Sequence, residues 1–463
     1  MSAGGGGLGT AARREVSPSR LREGLAGNPA RAIALAFLLV IGLGTLVLML
    51  PAASADGSGA PPMTALFTAV SAVCVTGLVV VDTATYWSGF GQAVILALIQ
   101  IGGLGILTGT SLAFLLLTRR LGFRGRLMTG AERQQTDQGQ LRQVLLVAVG
   151  VTAAAEAVAW ISITLRLLLD GYSLAGATWR GLFHSVSAFN NAGFALWSDN
   201  MIGFRTDAWM LTTIAVATIA GGLGVPVWQD LRRVGRRWSR YSLHSRITLG
   251  GTVVLLVIGF VAIAAVEWNN SGTLGAEGTG DRVLGAFFAS VQPRTAGFNA
   301  MDYGEARVET LLVTQTLMLI GGGSASTAGG LKVGTFVVLM LVVWAEARGR
   351  DEVVAFGRSI PAVVLRRAFA IGFLALVAVS LGTLVIAATS TFEPEEAFFE
   401  SVSAFATVGL STGLTPELNT AGRLTCIVLM FAGRVGLVTV ALALAFRERE
   451  RRFTHPEGRP LIG

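Results

Sequence analysis

Long apolar runs alternate with short polar segments along the whole chain. The runs lie at about residues 31–50, 91–117, 143–169, 208–229, 246–266, 310–344, 362–389 and 422–446. Most reach the roughly 20 residues that an α-helix needs to cross the hydrocarbon core of a bilayer. Their apolar positions are continuous and do not alternate with polar ones, as they would in the strands of a membrane β-barrel. The pattern predicts an all-α polytopic membrane protein with eight transmembrane helices.

A shorter pattern recurs between the two runs of each successive pair. It ends an amphipathic stretch and carries a glycine followed by Leu or Phe. The four segments are SAVCVTGLVV (71–80), SAFNNAGFAL (187–196), SVQPRTAGFN (290–299) and SAFATVGLST (403–412). Similar segments at matching places in successive units indicate a repeat architecture. We therefore predict four helix–pore-loop–helix repeats, with four re-entrant half-helices, around a pseudo-fourfold central pore.

The domain organisation follows from these runs. Repeat 1 spans 29–118, repeat 2 spans 141–233, repeat 3 spans 243–346 with an interrupted second helix, and repeat 4 spans 360–447. Residues 1–28, rich in Gly, Ser and Arg, predict a disordered cytoplasmic tail, and residues 448–463 a second cytoplasmic tail. The first run resembles a signal peptide, but it is longer than a usual signal core and further spans follow it. We interpret it as the first transmembrane helix.

Charge alternates between successive loops. Arg residues cluster at 119–126, 232–240, 348–367 and 447–452, whereas Asp and Glu concentrate in the other loops. The positive-inside rule places the Arg loops and both termini in the cytoplasm of a plasma (inner) membrane protein, so all four glycine loops enter from the outer face. The net charge of +8 therefore needs no nucleic-acid partner. Cys74 and Cys426 lie in apolar contexts that predict packing and have no metal-ligand spacing.

The four glycine loops carry the candidate chemistry. A half-helix that ends inside the membrane leaves carbonyl groups unpaired and directs the negative end of its dipole inward. Carbonyl oxygens that line a pore can replace the water around an ion, and glycine allows the positive φ that turns them toward an axis. A single such loop is usually a turn or a helix contact, but four matching loops are hard to explain by packing. Acidic outer loops, with Arg294 as the one charge in the four segments, favour a cation.

We therefore predict that three residues of each repeat form a filter. The candidates are Val75, Thr76, Gly77, Asn191, Ala192, Gly193, Thr295, Ala296, Gly297, Thr407, Val408 and Gly409. The bound cation belongs to this filter, and the sequence predicts no other metal site, since His184, His244 and His455 are widely scattered. His184 precedes the second filter segment, and we interpret it as an interfacial residue that caps or solvates its helix.

The four segments resemble those of a known family. VCVTGL (73–78), SAFNNAGF (187–194), VQPRTAGFN (291–299) and SAFATVGLSTGLT (403–415) are similar to the filter motifs of the Trk/Ktr/HKT potassium transporter superfamily. IGGLG (101–105) and AGGLGVPV (220–227) are similar to glycine motifs in its second helices. The resemblance covers about residues 30–450 and is closest to the Ktr-type membrane subunit (KtrB-like). It implies that the filter binds K⁺, and Gly77 favours potassium because plant members with Ser there are associated with sodium transport.

The resemblance also implies partners. Such subunits form homodimers, each protomer with its own pore, above a cytoplasmic ring of nucleotide-binding regulatory (RCK) subunits. We expect no cofactor in this chain, nucleotide on the partner, and K⁺ or Na⁺ as transported or activating ion. The Arg-rich loops at 119–142 and 232–246 and the C-terminal tail are candidate docking surfaces, although ordinary topology charge explains them too.

The second helix of repeat 3 is interrupted. LMLIGGGSASTAGGLKVGTFVVLM (317–340) carries too many glycines and small hydroxyl residues for a stable helix. Lys332 follows, and it either snorkels to the cytoplasmic face or acts in the pore. Arg434 interrupts the last span, where it either fixes a helix contact through carbonyls or, as the resemblance implies, approaches this loop. The family's loop often carries a proline where Ala325 or its neighbours stand here.

From the interruption and the resemblance we predict a flexible gate at 321–332, held closed through Arg434 and loop carbonyls. The gate candidates are Gly321, Gly322, Gly323, Ser324, Ser326, Thr327, Gly329, Gly330, Lys332 and Arg434.

Other functions remain as alternatives. A Na⁺-coupled K⁺ symporter or a Na⁺ transporter of the same fold fits the sequence, although four repeats facing the same way favour a channel-like pore. An intramembrane serine protease using Ser324 or Ser326 is remote because neither serine lies in a G-x-S-x-G motif. No βαβ pattern follows the glycine clusters, so they do not indicate nucleotide binding. We predict that the chain is not an enzyme.

Overall fold

The computed structural model describes residues 29–120, 134–235 and 237–436. The tails predicted at 1–28 and 448–463 lie outside the described residues, as do the end of repeat 4 and most of the loop at 119–142.

Helices make up most of the described chain. They are α1 Pro29–Leu48, α2 Pro62–Cys74, α3 Gly89–Arg120, α4 Gln134–Leu169, α5 Leu174–Phe189, α6 Ala208–Leu223, α7 Val225–Val234, α8 Leu243–Glu267, α9 Thr279–Val291, α10 Val308–Leu319, α11 Val333–Ala347, α12 Ala362–Thr389, α13 Pro394–Ala406 and α14 Thr420–Val435. The short helices α2, α5, α9 and α13 each lie between longer elements and end in irregular chain.

Local sequence explains where the short helices begin. Pro62 opens α2, where its missing N–H costs nothing because the first amides of a helix have no partner within it. Ser173 caps α5, and its Oγ accepts a hydrogen bond from the Gly176 amide at 3.2 Å. Glu393 and Glu396 form a capping box at the start of α13. These features fix the position at which α2, α5 and α13 begin.

The interior of the molecule is built around the short helices. Their last turns are buried, and Phe67, Phe183, Phe288 and Phe399 are among the largest side chains without solvent exposure. The long helices surround them and carry exposed apolar side chains, as in a helix bundle that faces lipid. The irregular segments that follow the short helices therefore lie in the centre of the bundle.

Three helices of the described residues are long and apolar enough to cross a membrane by themselves. They contain Leu145–Leu169, Leu243–Glu267 and Ala362–Thr389. A fourth span results if α6 and α7 count as one bent pair. The molecule is thus a helical protein with membrane-spanning helices, while the number of eight spans stays a prediction.

The apolar run at 208–229 is not the single helix that its continuity predicts. It bends by 92° between α6 and α7. Gly224 occupies the break with φ 88°, and Pro226 lies in the first turn of α7. Glycine adopts that conformation without a steric penalty, and proline cannot continue the preceding helix. The bend creates a helix N-terminus inside the protein.

A small β-hairpin departs from the predicted all-α fold. Strands β1 (Val354–Ala355) and β2 (Arg358–Ser359) pair antiparallel between α11 and α12. Phe356 and Gly357 join them with φ of 48° and 76°, the pair of positive values that a type I′ turn requires. Strands of two residues leave no alternating pattern in a sequence, which is why the hairpin was not predicted.

Candidate cation site

The chain repeats one unusual backbone conformation after each short helix. Two residues with positive φ are separated by one residue with negative φ. The pairs are Val75 (55°) and Gly77 (91°), Asn191 (61°) and Gly193 (70°), Thr295 (71°) and Gly297 (73°), and Thr407 (52°) and Gly409 (92°). Positive φ is uncommon for residues other than glycine and carries strain. Because Val, Asn and Thr all adopt it here, the site and not the local residue type imposes this conformation.

The four glycines form a closed ring. A Cβ added to any of them would lie 2.8 Å or less from a carbonyl oxygen of another filter segment. The oxygens are those of Ala192 against Gly77, Ala296 against Gly193, Val408 against Gly297 and Thr76 against Gly409. Each segment thus contacts the next, and the fourth returns to the first. The ring has no room for a side chain at these positions, and segments 2 and 4 lie diagonally opposite.

Hydrogen bonds from the short helices hold these turns. The Thr76, Ala192 and Val408 amides donate to the carbonyls of Ser71, Ser187 and Ser403 at 2.8, 2.7 and 2.9 Å. The hydroxyls of Ser71 and Ser403 also accept from the amides of Gly77 and Gly409, both at 3.1 Å.

The third segment has one more residue between its serine and its glycine than the others have. There the Ala296 amide donates to the Gln292 carbonyl at 3.0 Å, and Gln292 Oε1 accepts from the Phe298 amide at 3.2 Å. Gln292 therefore takes the place that serine has in the other segments.

All twelve residues named for the filter lie in these segments. Their side chains are almost without solvent exposure in the single chain. The Oγ1 atoms of Thr76 and Thr407 are buried and have no hydrogen-bond partner. Together with the carbonyl oxygens at the glycine ring, they offer an oxygen-only set of ligands, which suits a hard cation and needs no charged side chain.

Arg294 is the one charge in the filter segments, and it is directed away from the ring. Its Nη1 donates to the Thr252 carbonyl on α8 at 3.0 Å, and its Nη2 donates to the Gly321 carbonyl at 3.5 Å. From the sequence, Arg294 was notable only as the one charged residue in the four filter segments. The structure gives it a contact with the loop between α10 and α11.

We call residues 320–332, which separate α10 from α11, the crossing loop. It packs directly against the filter segments. A Cβ on Gly329 would collide with the Thr407 hydroxyl, and one on Gly330 would lie 3.1 Å from the Ala406 Cα. On the other side, the Thr327 hydroxyl donates to the Phe189 carbonyl at 3.2 Å. The glycines predicted for the gate thus allow a close approach of two backbones.

The crossing loop is also joined to the bent helix pair. The Gly323 amide donates to the Gly222 carbonyl at 2.8 Å, and the Val225 amide donates to the Ala325 carbonyl at 3.0 Å. Val225 begins α7, so a loop carbonyl fills one of the positions that a helix N-terminus leaves unpaired. Ala325 itself has a φ of 54°.

Lys332 and Arg434 both bind crossing-loop carbonyls. Lys332 Nζ donates to the carbonyls of Ala328 and, at 3.1 Å, Gly329. Its side chain therefore turns back onto its own loop. Arg434 is buried; its Nη1 donates to the Thr327 carbonyl and its Nη2 to the Gly102 carbonyl at 3.0 Å. It links the loop to the IGGLG motif of α3.

Two interpretations of single residues change. His184 is not interfacial, because it has no exposed surface and packs against Leu196 and Trp197 at the end of the second filter segment. Ser326 is not placed as a nucleophile, because its hydroxyl donates to the Gly323 carbonyl at 2.7 Å and accepts from the Ala328 amide at 3.2 Å. Both bonds are local and stabilise the crossing loop.

Sequence reasoning missed two carboxylates near the filter, of which Glu400 is buried and Glu156 half-buried. Glu400 lies within α13, and Glu156 lies within α4. Glu156 accepts hydrogen bonds from the side-chain amides of Gln100 at 3.2 Å and Asn190 at 2.9 Å. Each carboxylate interrupts an otherwise apolar stretch, which is the signal that could have identified both.

Comparisons with known proteins agree with this architecture. Residues 25–454 match the model of a family described as TrkH, cation transport protein. The Ktr system potassium uptake protein B of Bacillus subtilis is 39% identical over 439 residues, which cover 94% of this chain and 97% of that protein. The protein of the same description from Vibrio alginolyticus is 38% identical, covering 96% of this chain and 97% of its own length.

Two further matches extend the comparison. The potassium/sodium uptake protein NtpJ of Enterococcus hirae is 34% identical, covering 97% of this chain and all of that protein. Among solved structures, the crystal structure of the potassium transporter TrkH from Vibrio parahaemolyticus superposes with a TM-score of 0.71. It is 18% identical and covers 94% of this chain and 86% of its own, so that likeness concerns the fold.

Proposed function

Because the chain belongs to the TrkH family of cation transport proteins, we propose that it is the ion-translocating pore subunit of a Trk/Ktr-type potassium uptake system. Members of the family move ions, so the chain is a transport protein and not an enzyme. The single observation that carries the proposal is the closed ring of Gly77, Gly193, Gly297 and Gly409, in which each glycine packs against a carbonyl group of another segment.

The ring supports a filter made of backbone oxygens. Potassium enters a narrow passage when oxygen ligands replace its hydration shell. The carbonyls of Thr76, Ala192, Ala296 and Val408 meet at the glycine ring. The short helices α2, α5, α9 and α13 end at the filter segments, so their dipoles add negative potential where a cation would lie. Four such ends provide cation stabilisation without a carboxylate in the ring.

The crossing loop is the proposed gate. It packs against Thr407 and Ala406 of the fourth segment and bonds Phe189 at the end of α5. A loop in that place stands between the filter and the remainder of the pathway. Arg434 and Lys332 hold its carbonyls, which supports a closed state stabilised by charge-assisted hydrogen bonds.

The finer architecture belongs to the same proposal. It comprises four pore-loop repeats with eight spans, a multi-pass location in the plasma membrane, and cytoplasmic termini. A homodimer above an RCK-type regulatory ring follows from the family resemblance. Two relatives are described as components of a Ktr system, which supports a partner for this chain. Nucleotide then binds to that partner.

Potassium is the proposed cargo, and Gly77 in the first filter segment supports this choice. The description of the Enterococcus relative mentions both potassium and sodium, so the two ions need direct comparison. Proteoliposomes that hold the purified chain with its regulatory subunit provide the test. We expect uptake of potassium or its congener rubidium driven by an ion gradient, with sodium transported more slowly. Absence of rubidium uptake from correctly folded, regulator-bound protein would refute the proposal.

A further inference from the structure

Two of the short helices carry a buried ionisable side chain at the same position. His184 in α5 lies nine residues before Gly193, and Glu400 in α13 lies nine residues before Gly409. Both are 0% exposed. The corresponding residues of the other two short helices, three before the serine of each segment, are Thr68 in α2 and Phe287 in α9. Burial of an ionisable group is costly unless its polar atoms are paired, so their partners indicate what each side chain does.

Glu400 binds the chain where it leaves the fourth filter segment. The Ser411 hydroxyl donates to Glu400 Oε1, and the Thr415 hydroxyl donates to Oε2 at 3.0 Å. The two hydroxyls also lie 3.1 Å from each other. Ser411 follows Gly409 by two residues. The ion pairs found in the described part of the chain do not include Glu400. The carboxylate therefore clamps the exit of this segment to its own helix.

His184 does the same for the second filter segment. Its Nδ1 lies 2.7 Å from the Arg180 carbonyl, to which it donates, and its Nε2 accepts from the Leu196 amide at 3.1 Å. These roles require a neutral imidazole with the proton on Nδ1. Leu196 follows Gly193 by three residues. The imidazole also stacks on Trp197 with the ring centroids 4.1 Å apart. His184 thus fixes the exit of its segment relative to α5.

The two clamps lie on opposite sides of the ring. Segment 2 contacts segments 1 and 3, and segment 4 contacts segments 3 and 1, so segments 2 and 4 are diagonal partners. We infer that Glu400 and His184 are positioning residues that hold two opposite filter segments at the spacing suited to potassium, and so determine the discrimination against sodium. The inference rests on the proposed filter. Its physical basis is the cavity-size account of selectivity, in which a carbonyl ring favours the larger ion while its oxygens cannot move closer together.

The experiment compares rubidium and sodium uptake in proteoliposomes containing Glu400→Ala, Glu400→Gln or the unmodified protein, each with its regulatory subunit. Alanine leaves Ser411 and Thr415 without their buried partner, and we expect the rubidium-to-sodium uptake ratio to fall about fivefold or more. Glutamine keeps one acceptor oxygen, and its NH₂ group can donate to either hydroxyl. We therefore expect the uptake ratio of Glu400→Gln to lie close to that of the unmodified protein. His184→Leu is expected to lower the ratio as well.

Glu267 supplies a matched control. It is also a 0% exposed carboxylate held by hydroxyls, those of Thr310 and Thr273, both at 2.5 Å, but it lies at the end of α8 and neither hydroxyl belongs to a filter segment or to the chain that leaves one within six residues of its glycine. Glu267→Ala is expected to lower the melting temperature and leave the uptake ratio unchanged. An equal change of the ratio in Glu267→Ala, or an unchanged ratio in folded Glu400→Ala, would overturn the inference.

Three further variants keep the result interpretable. If Glu400→Ala does not fold, Ser411→Ala and Thr415→Val remove the same clamp from the other side and are expected to lower the ratio too. Gly77→Ser tests the filter itself. If Gly77→Ser changes the rubidium-to-sodium uptake ratio and the Glu400, Ser411 and Thr415 variants do not, the proposed role of Glu400 is wrong but the filter stands. If none of these variants changes the uptake ratio, the proposed filter is wrong as well.

Discussion

The guanidinium of Arg434 donates a hydrogen bond to the carbonyl oxygen of Thr327, so the last helix of the described chain is tied to the crossing loop. The same guanidinium binds the Gly102 carbonyl on α3. One buried side chain therefore joins α3, the crossing loop and α14. Movement of the crossing loop away from the filter must break at least the bond to Thr327.

Replacing Arg434 by Ala is expected to open the pathway. A hydrogen bond from a charged group contributes about 1.5–3 kcal/mol, so its loss shifts a closed-to-open equilibrium by roughly 10- to 150-fold. Rubidium uptake by proteoliposomes without the regulatory subunit should rise accordingly. Arg434→Lys keeps the charge but cannot bridge two carbonyls with a planar fork, and an intermediate flux is expected. Unchanged flux in folded Arg434→Ala would show that this bond does not hold the gate closed.

Shortening the crossing loop tests the barrier directly. Deletion of residues from 321–330 removes the glycines that pack against Thr407 and Ala406. We expect potassium flux without the regulatory partner to rise well above that of the intact chain. Cell-free uptake assays at matched protein density provide the measurement, with a deletion in the hairpin turn at 356–357 as control. A deletion variant that folds and conducts potassium no faster than the intact chain would contradict the proposal that the crossing loop is the gate.

Gly77→Ser is expected to admit more sodium relative to potassium. The added Cβ would meet the Ala192 carbonyl and the Gly193 Cα, so the ring must distort. Gly42→Ser is the matched control, because a Cβ on Gly42 in α1 meets nothing within 4 Å. Competition of sodium with rubidium uptake measures the effect. Selectivity that stays fixed in Gly77→Ser, or that changes equally in Gly42→Ser, contradicts a role of Gly77 in the filter.

Asp82 joins the loops that follow the first and second filter segments. Burial raises the pKa of Asp82, but hydrogen bonds from Ser198, Thr85 and the Ala84 amide outweigh it and hold the pKa below its ordinary value. A carboxyl group with a lowered folded-state pKa stabilises the protein above its unfolded-state pKa, and the contribution disappears as the pH falls through the folded-state value. Asp82→Asn should therefore melt at a lower temperature than the parent at pH 7.

Melting curves at a series of pH values check this prediction. The difference between Asp82→Asn and the parent should shrink as the pH is lowered toward the pKa of the carboxyl group. A difference that does not depend on pH would mean that Asp82 acts through packing or through its hydrogen-bond geometry alone.

The sequence predicted correctly those features that depend on residue type at recurring positions. Glycines at matching places in four segments identified the residues that meet in the ring, because only glycine fits between neighbouring backbones there. The cluster of glycines at 321–330 identified the break between α10 and α11, because such a composition does not support a helix. Family membership followed from the same motifs.

Other features depend on contacts that no local pattern contains. Residues 208–229 are continuously apolar, so no pattern in the sequence indicated the bend at Gly224. Hydropathy contains no information about the backbone angle φ that produces the bend. The burial of His184 depends on where α5 packs, and a histidine near a helix start resembles an interfacial residue in the sequence. Glu400 became recognisable as a clamp only when Ser411 and Thr415 were found beside it.

The most direct test of the carbonyl ring is to locate the ion. Crystals grown in rubidium salts, with diffraction measured at the rubidium absorption edge, reveal bound ions as anomalous density. We expect a peak on the axis of the ring, surrounded by the carbonyl oxygens of Thr76, Ala192, Ala296 and Val408. Well-ordered glycines with no ion between them at high rubidium concentration, or carbonyls that turn outward into packed protein, would contradict the filter.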